Sequence, residues 1–204
     1  MTTQRSFPRT AVLVLIIGLV AISAIILLSF APIIIPVRSN NSLEQAKGLA
    51  DKYVAGVSSD LSVREVEEWS LNFYVRVQEK STGINAFELL VDRYSSRVSL
   101  EPGPNMMWNT RYSMMGQGGM MGYRGDSTVA MPVTPQQASV YAQRWLDSNL
   151  PGTEAKEPDT FYGYYTMDFS KNGTTYGMLS VNGYTGDIWY HTWHGTFMAA
   201  TEYG

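Results

Sequence analysis

The sequence predicts an α+β protein with an N-terminal transmembrane helix and two repeats, each of one helix packed on a three- to four-stranded antiparallel sheet. Three observations indicate this: a long uncharged segment near the N-terminus, two stretches of helical periodicity 92 residues apart, and strand-like alternation after each. The 204 residues include no cysteine, which excludes disulfides and thiolate metal sites. The net charge of -3, without a basic run, gives no indication of a nucleic-acid partner.

Residues 10–35 form the predicted transmembrane helix. Their 26 positions contain no charged side chain, and a spanning helix needs about 20 apolar residues. Because Arg5 and Arg9 precede the segment, we expect residues 1–9 to be cytoplasmic and the body to lie on the extracytoplasmic side of the cell membrane. The alternative is a cleaved signal peptide with small residues at Ser29 and Ala31, although its apolar region would span only about 7–15 residues.

Each repeat begins with a predicted helix. Ser42 and Thr134 are suitable N-cap residues, and both precede a helical pattern of apolar positions. In each helix these positions share one face: Ala46, Leu49, Ala50, Tyr53 and Val54 in the first, and Ala138, Tyr141, Ala142, Trp145 and Leu146 in the second. We therefore expect both helices to bury this face against a sheet.

Strands follow each helix. Alternating apolar residues predict one half-buried strand per repeat: Leu71, Phe73, Val75 and Val77, and then Gly163, Tyr165, Met167 and Phe169. Residues 86–91 and 176–181 predict the next strands, and Asn172-Gly173 is typical of a hairpin turn. The repeats extend over residues 42–104 and 132–198. Because a unit of about 60 residues is only marginally stable alone, we expect the two to pack side by side.

This pattern resembles the PepSY domain. The resemblance rests on the helix openings Glu44-Gln45-Ala46 and Gln136-Gln137-Ala138, and on the strand–turn–strand segments 91–98 and 181–188. It covers residues 42–102 and 134–197. PepSY domains occur in propeptides of thermolysin-type metallopeptidases and in membrane-anchored exported proteins, so the resemblance implies a non-catalytic module that binds or restrains another molecule. Ser96 stands where the family usually has Gly in the last turn.

A Met/Gly-rich linker, residues 105–131, joins the predicted repeats. It contains three methionine pairs: Met106 and Met107, Met114 and Met115, and Met120 and Met121. Thioether sulfur suits Cu(I) and comparable soft ions such as Ag(I), and the nearby glycines would let the backbone fold around an ion. The alternative is a flexible linker whose methionines make structural or protein contacts.

A second candidate site lies on an aromatic strand near the C-terminus. Trp189, His191 and Trp193 are expected on one strand face, together with Tyr164 and Met178. Two interpretations stay open: a seam between the repeats, or a surface that binds a ligand or peptide partner. His191 and His194 are candidate metal ligands, but they converge only if the chain bends after Thr192. With the methionine loop folded over them they would form a mixed Met/His copper site.

No hydrolase or phosphate-binding motif is present in the sequence. Glu65, Glu67 and Glu68 are expected on a solvated strand face rather than in acid–base catalysis. The predicted function is therefore a non-enzymatic, membrane-anchored extracytoplasmic binding module that handles Cu(I) or Ag(I) through the linker, with no other cofactor. The alternative is a regulator or inhibitor that contacts an exported protease or another envelope protein through an open sheet face.

Overall fold

The computed structural model describes residues 41–112 and 130–204. The predicted anchor (10–35), the preceding residues 1–9, and Met114, Met115, Met120 and Met121 lie outside this part of the chain. In the described ranges, no helix is both long and apolar enough to cross a membrane. The fold class is α+β with antiparallel sheets, as predicted.

The first repeat packs one helix on a sheet. Its elements are α1 (Leu43–Val57), β1 (Leu61–Trp69), β2 (Asn72–Glu79), β3 (Asn85–Asp92) and β4 (Val98–Leu100). Ala46, Ala50 and Val54 on α1 are buried against the sheet. The predicted strand residues Phe73, Val75 and Val77 lie in the same core.

The second repeat follows the same plan with a differently built first strand. A short helix, α2 (Pro104–Met107), precedes α3 (Pro135–Asn149), β5 (Thr153–Ala155), β6 (Asp159–Thr160), β7 (Tyr164–Lys171), β8 (Thr174–Asn182) and β9 (Ile188–Tyr190). Tyr165, Met167 and Phe169 form a core with Leu146 of α3. Two short strands, β5 and β6, pair with β7 where the first repeat has the single strand β1.

The predicted helix caps are confirmed. Ser42 Oγ and Thr134 Oγ1 each accept a hydrogen bond of 3.2 Å from the backbone N–H three residues on. The Gln side chain at that third position accepts in return from the backbone N–H of the cap residue. These reciprocal bonds satisfy N–H groups that would otherwise have no partner in the helix.

The last strand, β10 (Phe197–Glu202), crosses to the first repeat and pairs with β1. The first sheet therefore has the order β10-β1-β2-β3-β4. The local sequence pattern predicts no strand here, and the predicted second repeat ends at residue 198. This boundary differs because pairing between β1 and β10 is set by tertiary contact, not by local alternation.

The beginning of the predicted linker is ordered and packs on β3. Asn105 Oδ1 accepts from Glu88 N at 3.1 Å, and Asn109 Nδ2 donates to Ala86 O at 2.7 Å. Met106 and Met107 lie on α2, where Met106 is half-buried and Met107 is exposed. The segment 105–112 is thus part of the folded body and not a free linker.

Candidate metal centre

The connector between β9 and β10, residues 191–196, brings the two histidines together. His191 Nδ1 lies 3.4 Å from His194 Nε2. The chain bends at Trp193 and His194, directly after Thr192. Gly195, the next residue, has a φ of 83°, and a Cβ there would lie 2.2 Å from Ser70 Oγ. Only glycine fits this close approach in a left-handed conformation. The bend that the sequence analysis required for convergence of the histidines is therefore present.

Glu101, which the sequence analysis did not identify, completes the cluster from the first repeat. Its Oε1 lies 2.9 Å from His194 Nε2 and 3.4 Å from His191 Nδ1. The exposed fractions of Glu101, His191 and His194 are 0%, 3% and 2%. Among the described residues, these three form the one group of His and acidic side chains whose ligand atoms converge closely enough for a metal ion.

The internal repeat contained a signal for Glu101. Position 101 is equivalent to position 191 when segment 91–98 is aligned with 181–188. The backbone confirms the equivalence: Glu101 N donates to Glu88 O, and His191 N donates to Met178 O, both at 3.0 Å. Two equivalent positions of the repeats therefore face each other in one cluster.

Polar residues orient both imidazole rings. His194 Nδ1 lies 3.0 Å from Asn72 Oδ1, while Asn72 Nδ2 donates to Trp193 O at 2.7 Å. Because the amide oxygen can only accept, His194 Nδ1 carries a proton and Nε2 faces Glu101. His191 Nε2 lies 2.9 Å from Ser180 Oγ, which leaves Nδ1 directed at the cluster. Hydrogen bonding at the outer nitrogen is the usual arrangement for metal-binding histidines.

The spacing of the three inner atoms matches that of ligands around one ion. Bonds of about 2.0–2.1 Å to nitrogen or oxygen separate tetrahedral ligand atoms by roughly 3.3 Å and adjacent octahedral ones by roughly 2.9 Å. The distances in the cluster are 2.9, 3.4 and 3.4 Å. In addition, Glu101 Oε2 is buried and accepts no hydrogen bond from the described residues.

The cluster needs a positive charge. Burial alone would raise the pKa of Glu101, but the attraction and hydrogen bonds of His191 and His194 outweigh it and hold this pKa below its ordinary value. Burial lowers the pKa of His191, against the opposing attraction of Glu101. A buried carboxylate requires a compensating partner. An imidazolium proton or a metal cation between the inner atoms can supply that charge.

Aromatic side chains enclose the cluster. Trp193 stacks on His191 at 4.7 Å between ring centroids and donates its Nε1–H to Glu101 Oε1 at 2.9 Å. Trp69 and Tyr74 lie 5.2 Å and 5.9 Å from the His194 ring. These rings exclude water and lower the local dielectric constant, which strengthens any interaction with a bound cation.

The predicted partner-binding residues are largely inaccessible. Tyr164 is buried and its hydroxyl donates to Glu88 Oε2 at 2.8 Å, and Met178 is buried against Trp69 and Tyr74. Trp189 is half-buried, with its ring edge-on to Trp108 at 5.8 Å. The two repeats cover the face that carries Tyr164, Met178 and His191. This face is a seam, so the open sheet face of the alternative prediction is not open.

The prediction that Glu65, Glu67 and Glu68 lie on a solvated strand face is wrong. Glu65 pairs with Arg76 at 2.9 Å and Glu68 pairs with Arg93 at 2.8 Å. Glu67 is buried and accepts from Trp69 Nε1 at 2.7 Å. Burial, with a smaller effect of Asp168 and Glu65, raises the pKa of Glu67 well above its ordinary value. Glu65 and Glu67 border a polar cavity of about 550 Å³, because the second repeat covers this side of β1.

No family model matches the chain, and no curated protein matches it. One solved structure, the Bacillus megaterium YpeB C-terminal domain, aligns with 8% sequence identity and a TM-score of 0.26. The alignment covers 74% of this chain and 62% of that domain, so the chain spans less than two thirds of its length. Similarity at this level does not establish a common fold.

Proposed function

We propose that this protein is a non-catalytic, PepSY-like binding module that holds a transition-metal ion between its two repeats. The observation that carries this proposal is the convergence of Glu101, His191 and His194, with three inner donor atoms no more than 3.4 Å apart in a buried seam. The PepSY-like motifs support the binding module. The uncharged segment 10–35 supports a membrane anchor that holds it on the extracytoplasmic side.

The donor set favours a divalent ion. Two imidazoles and a carboxylate suit Zn²⁺, Cu²⁺, Ni²⁺ or Fe²⁺, whereas Cu(I) and Ag(I) prefer thioether or thiolate sulfur. The metal in the seam is therefore of the zinc or Cu²⁺ class, and Cu(I) or Ag(I) would belong to the methionine pairs. The three ligands are buried, so a bound ion would be shielded from bulk water, and a tetrahedral ion would take one further donor.

Isothermal titration of the full chain with Zn²⁺ tests the seam site. Glu101→Gln, His191→Gln and His194→Gln are each expected to weaken Zn²⁺ binding by at least about 100-fold, because each removes a direct ligand. Glu157→Gln is the matched control, since it removes an exposed carboxylate. Circular dichroism verifies that each variant folds. Wild-type affinity in the three folded ligand variants would exclude the proposed centre.

A separate site on the methionine pairs is tested with Cu(I) under reducing conditions. Replacement of Met106, Met107, Met114, Met115, Met120 and Met121 by Leu is expected to abolish Cu(I) binding and to leave the Zn²⁺ affinity unchanged. Leucine keeps the apolar volume but has no sulfur. Unchanged Cu(I) affinity in this variant would assign the methionines to packing or protein contact.

A further inference from the structure

No side chain of the C-terminal strand β10 is fully buried. In the described part of the chain it is an edge strand that pairs with β1 alone. Residues 198, 200, 201 and 202 are exposed, while Phe197 packs edge-on against Trp69 at 5.3 Å and Tyr203, just after the strand, packs on the core of the first repeat. A strand with so little apolar burial belongs to the part of a fold that opens locally with low free energy.

The connector that carries both histidines also holds β10 in place. Ser70 N donates to Thr196 O at 2.8 Å, and Leu71 N donates to His194 O at 3.1 Å. Asn72 contacts the connector twice, through Trp193 O and the His194 ring. The connector that leads into β10 is therefore held on the β1–β2 turn. His194, a candidate ligand, and Asn72, which orients its ring, both take part in these contacts.

We propose that metal binding at Glu101, His191 and His194 locks β10 onto the edge of β1. This inference rests on the proposed metal centre and adds a regulatory consequence to it. A metal ion would bond the connector directly to Glu101 of the first repeat. Because detachment of β10 with its connector removes two of the three ligands, the ion binds the docked state and stabilises it. Loss of the ion releases the strand and exposes the β1 edge.

Hydrogen exchange followed by mass spectrometry tests the lock on the full chain. The chain is first stripped with a chelator and then measured with and without Zn²⁺ at a free concentration 100 times the measured Kd. Amide exchange in residues 197–203 is expected to slow by up to about 100-fold, the factor by which a ligand at this concentration stabilises the state that binds it. The central strand β7 serves as the reference for global unfolding: in the metal-free chain, residues 197–203 are expected to exchange faster than β7, because their opening is local.

The control is His194→Gln, in which the same Zn²⁺ concentration is expected to slow exchange in residues 197–203 by no more than about twofold. Tight Zn²⁺ binding in the wild type without slower exchange in residues 197–203 would overturn the lock and leave the metal centre intact. Equal exchange rates in β7 and in residues 197–203 of the metal-free chain would likewise overturn it, because β10 would then open only when the whole molecule unfolds. Absence of Zn²⁺ binding in the titration would remove the metal centre itself, so the two failures are distinguishable.

Discussion

Two equivalent turn residues show how one position constrains the backbone in both repeats. Ser96 has a φ of 60° and Gly186 has a φ of 77°, so the turn keeps its left-handed conformation although the first repeat lacks glycine. This conformation costs a residue with a side chain about 1–2 kcal/mol. Ser96 Oγ donates to Asn41 Oδ1 at 3.1 Å, which offsets part of this cost.

Substitution of each of these two residues tests the free-energy cost of the left-handed conformation. Ser96→Gly is expected to raise the free energy of unfolding by about 0.5 kcal/mol, the relief of strain less the lost hydrogen bond and the added chain entropy. Gly186→Ala is expected to lower it by about 1–2 kcal/mol, because a Cβ would also lie 2.9 Å from the Tyr141 ring. Urea unfolding measures the free energy of unfolding of both variants. A Ser96→Gly protein that is less stable than wild type would contradict the proposed backbone strain at Ser96.

At the scale of the element, strand β1 has an environment that the local sequence does not predict. Its neighbours β2 and β3 and both main helices follow from hydrophobic periodicity, which is local information. The environment of its acids is not local: β10 pairs along one edge, and the second repeat borders the face that carries Glu67. Acidic side chains are ordinarily exposed, so the default expectation was wrong for a strand covered by a distant part of the chain.

The pH dependence of stability tests the buried carboxylate of β1. The pKa of Glu67 is raised in the folded state, so its contribution to stability is fully present below the unfolded pKa of about 4.3 and is lost as the pH rises toward the folded pKa. Glu67→Gln removes this loss and can still accept from Trp69. Between the unfolded and the folded pKa, the free energy of unfolding of the variant is expected to rise relative to wild type by up to about 1.4 kcal/mol per pH unit.

Urea unfolding at pH 4, 6 and 8 measures this gain. At pH 4, where the carboxyl group is protonated in the folded chain and mostly protonated in the unfolded chain, the two proteins are expected to be nearly equal in stability. Parallel stability curves across the three pH values would show that Glu67 is ionised in the folded protein.

At the scale of the whole molecule, the seam combines predictable and unpredictable parts. The sequence predicts the repeat and, because each unit is marginal alone, the packing of the two units. It also predicts His191 and His194 as candidate ligands, together with the bend they require. Glu101 and β10 were not predicted because their partners lie far along the chain: Glu101 contacts His191, and β10 pairs with β1. Contacts at such separation depend on how the repeats dock.

The pH dependence of metal binding distinguishes the seam site from a methionine site. Imidazole nitrogens must lose protons to bind a metal, so Zn²⁺ affinity is expected to fall as the pH drops from 7.5 to 5.5, by up to about tenfold per unit for each proton displaced. Thioether sulfur carries no proton, so Cu(I) binding to the methionine pairs is expected to stay constant. Titrations at three pH values compare the two, and pH-independent Zn²⁺ binding would contradict histidine ligation.

The crossing of β10 also sets the order in which the chain can be completed during synthesis. Hairpins β1–β2 and β2–β3 can form once their own residues have emerged, but Glu65 of β1 pairs with Glu202 near the end of β10. Until then the nascent first sheet presents an unpaired edge, which is a template for pairing with other chains. Closure over so long a separation is also slow. The sheet that is synthesised first therefore has its edge covered last. Its β1 edge can pair with other chains until residues 197–202 have been synthesised.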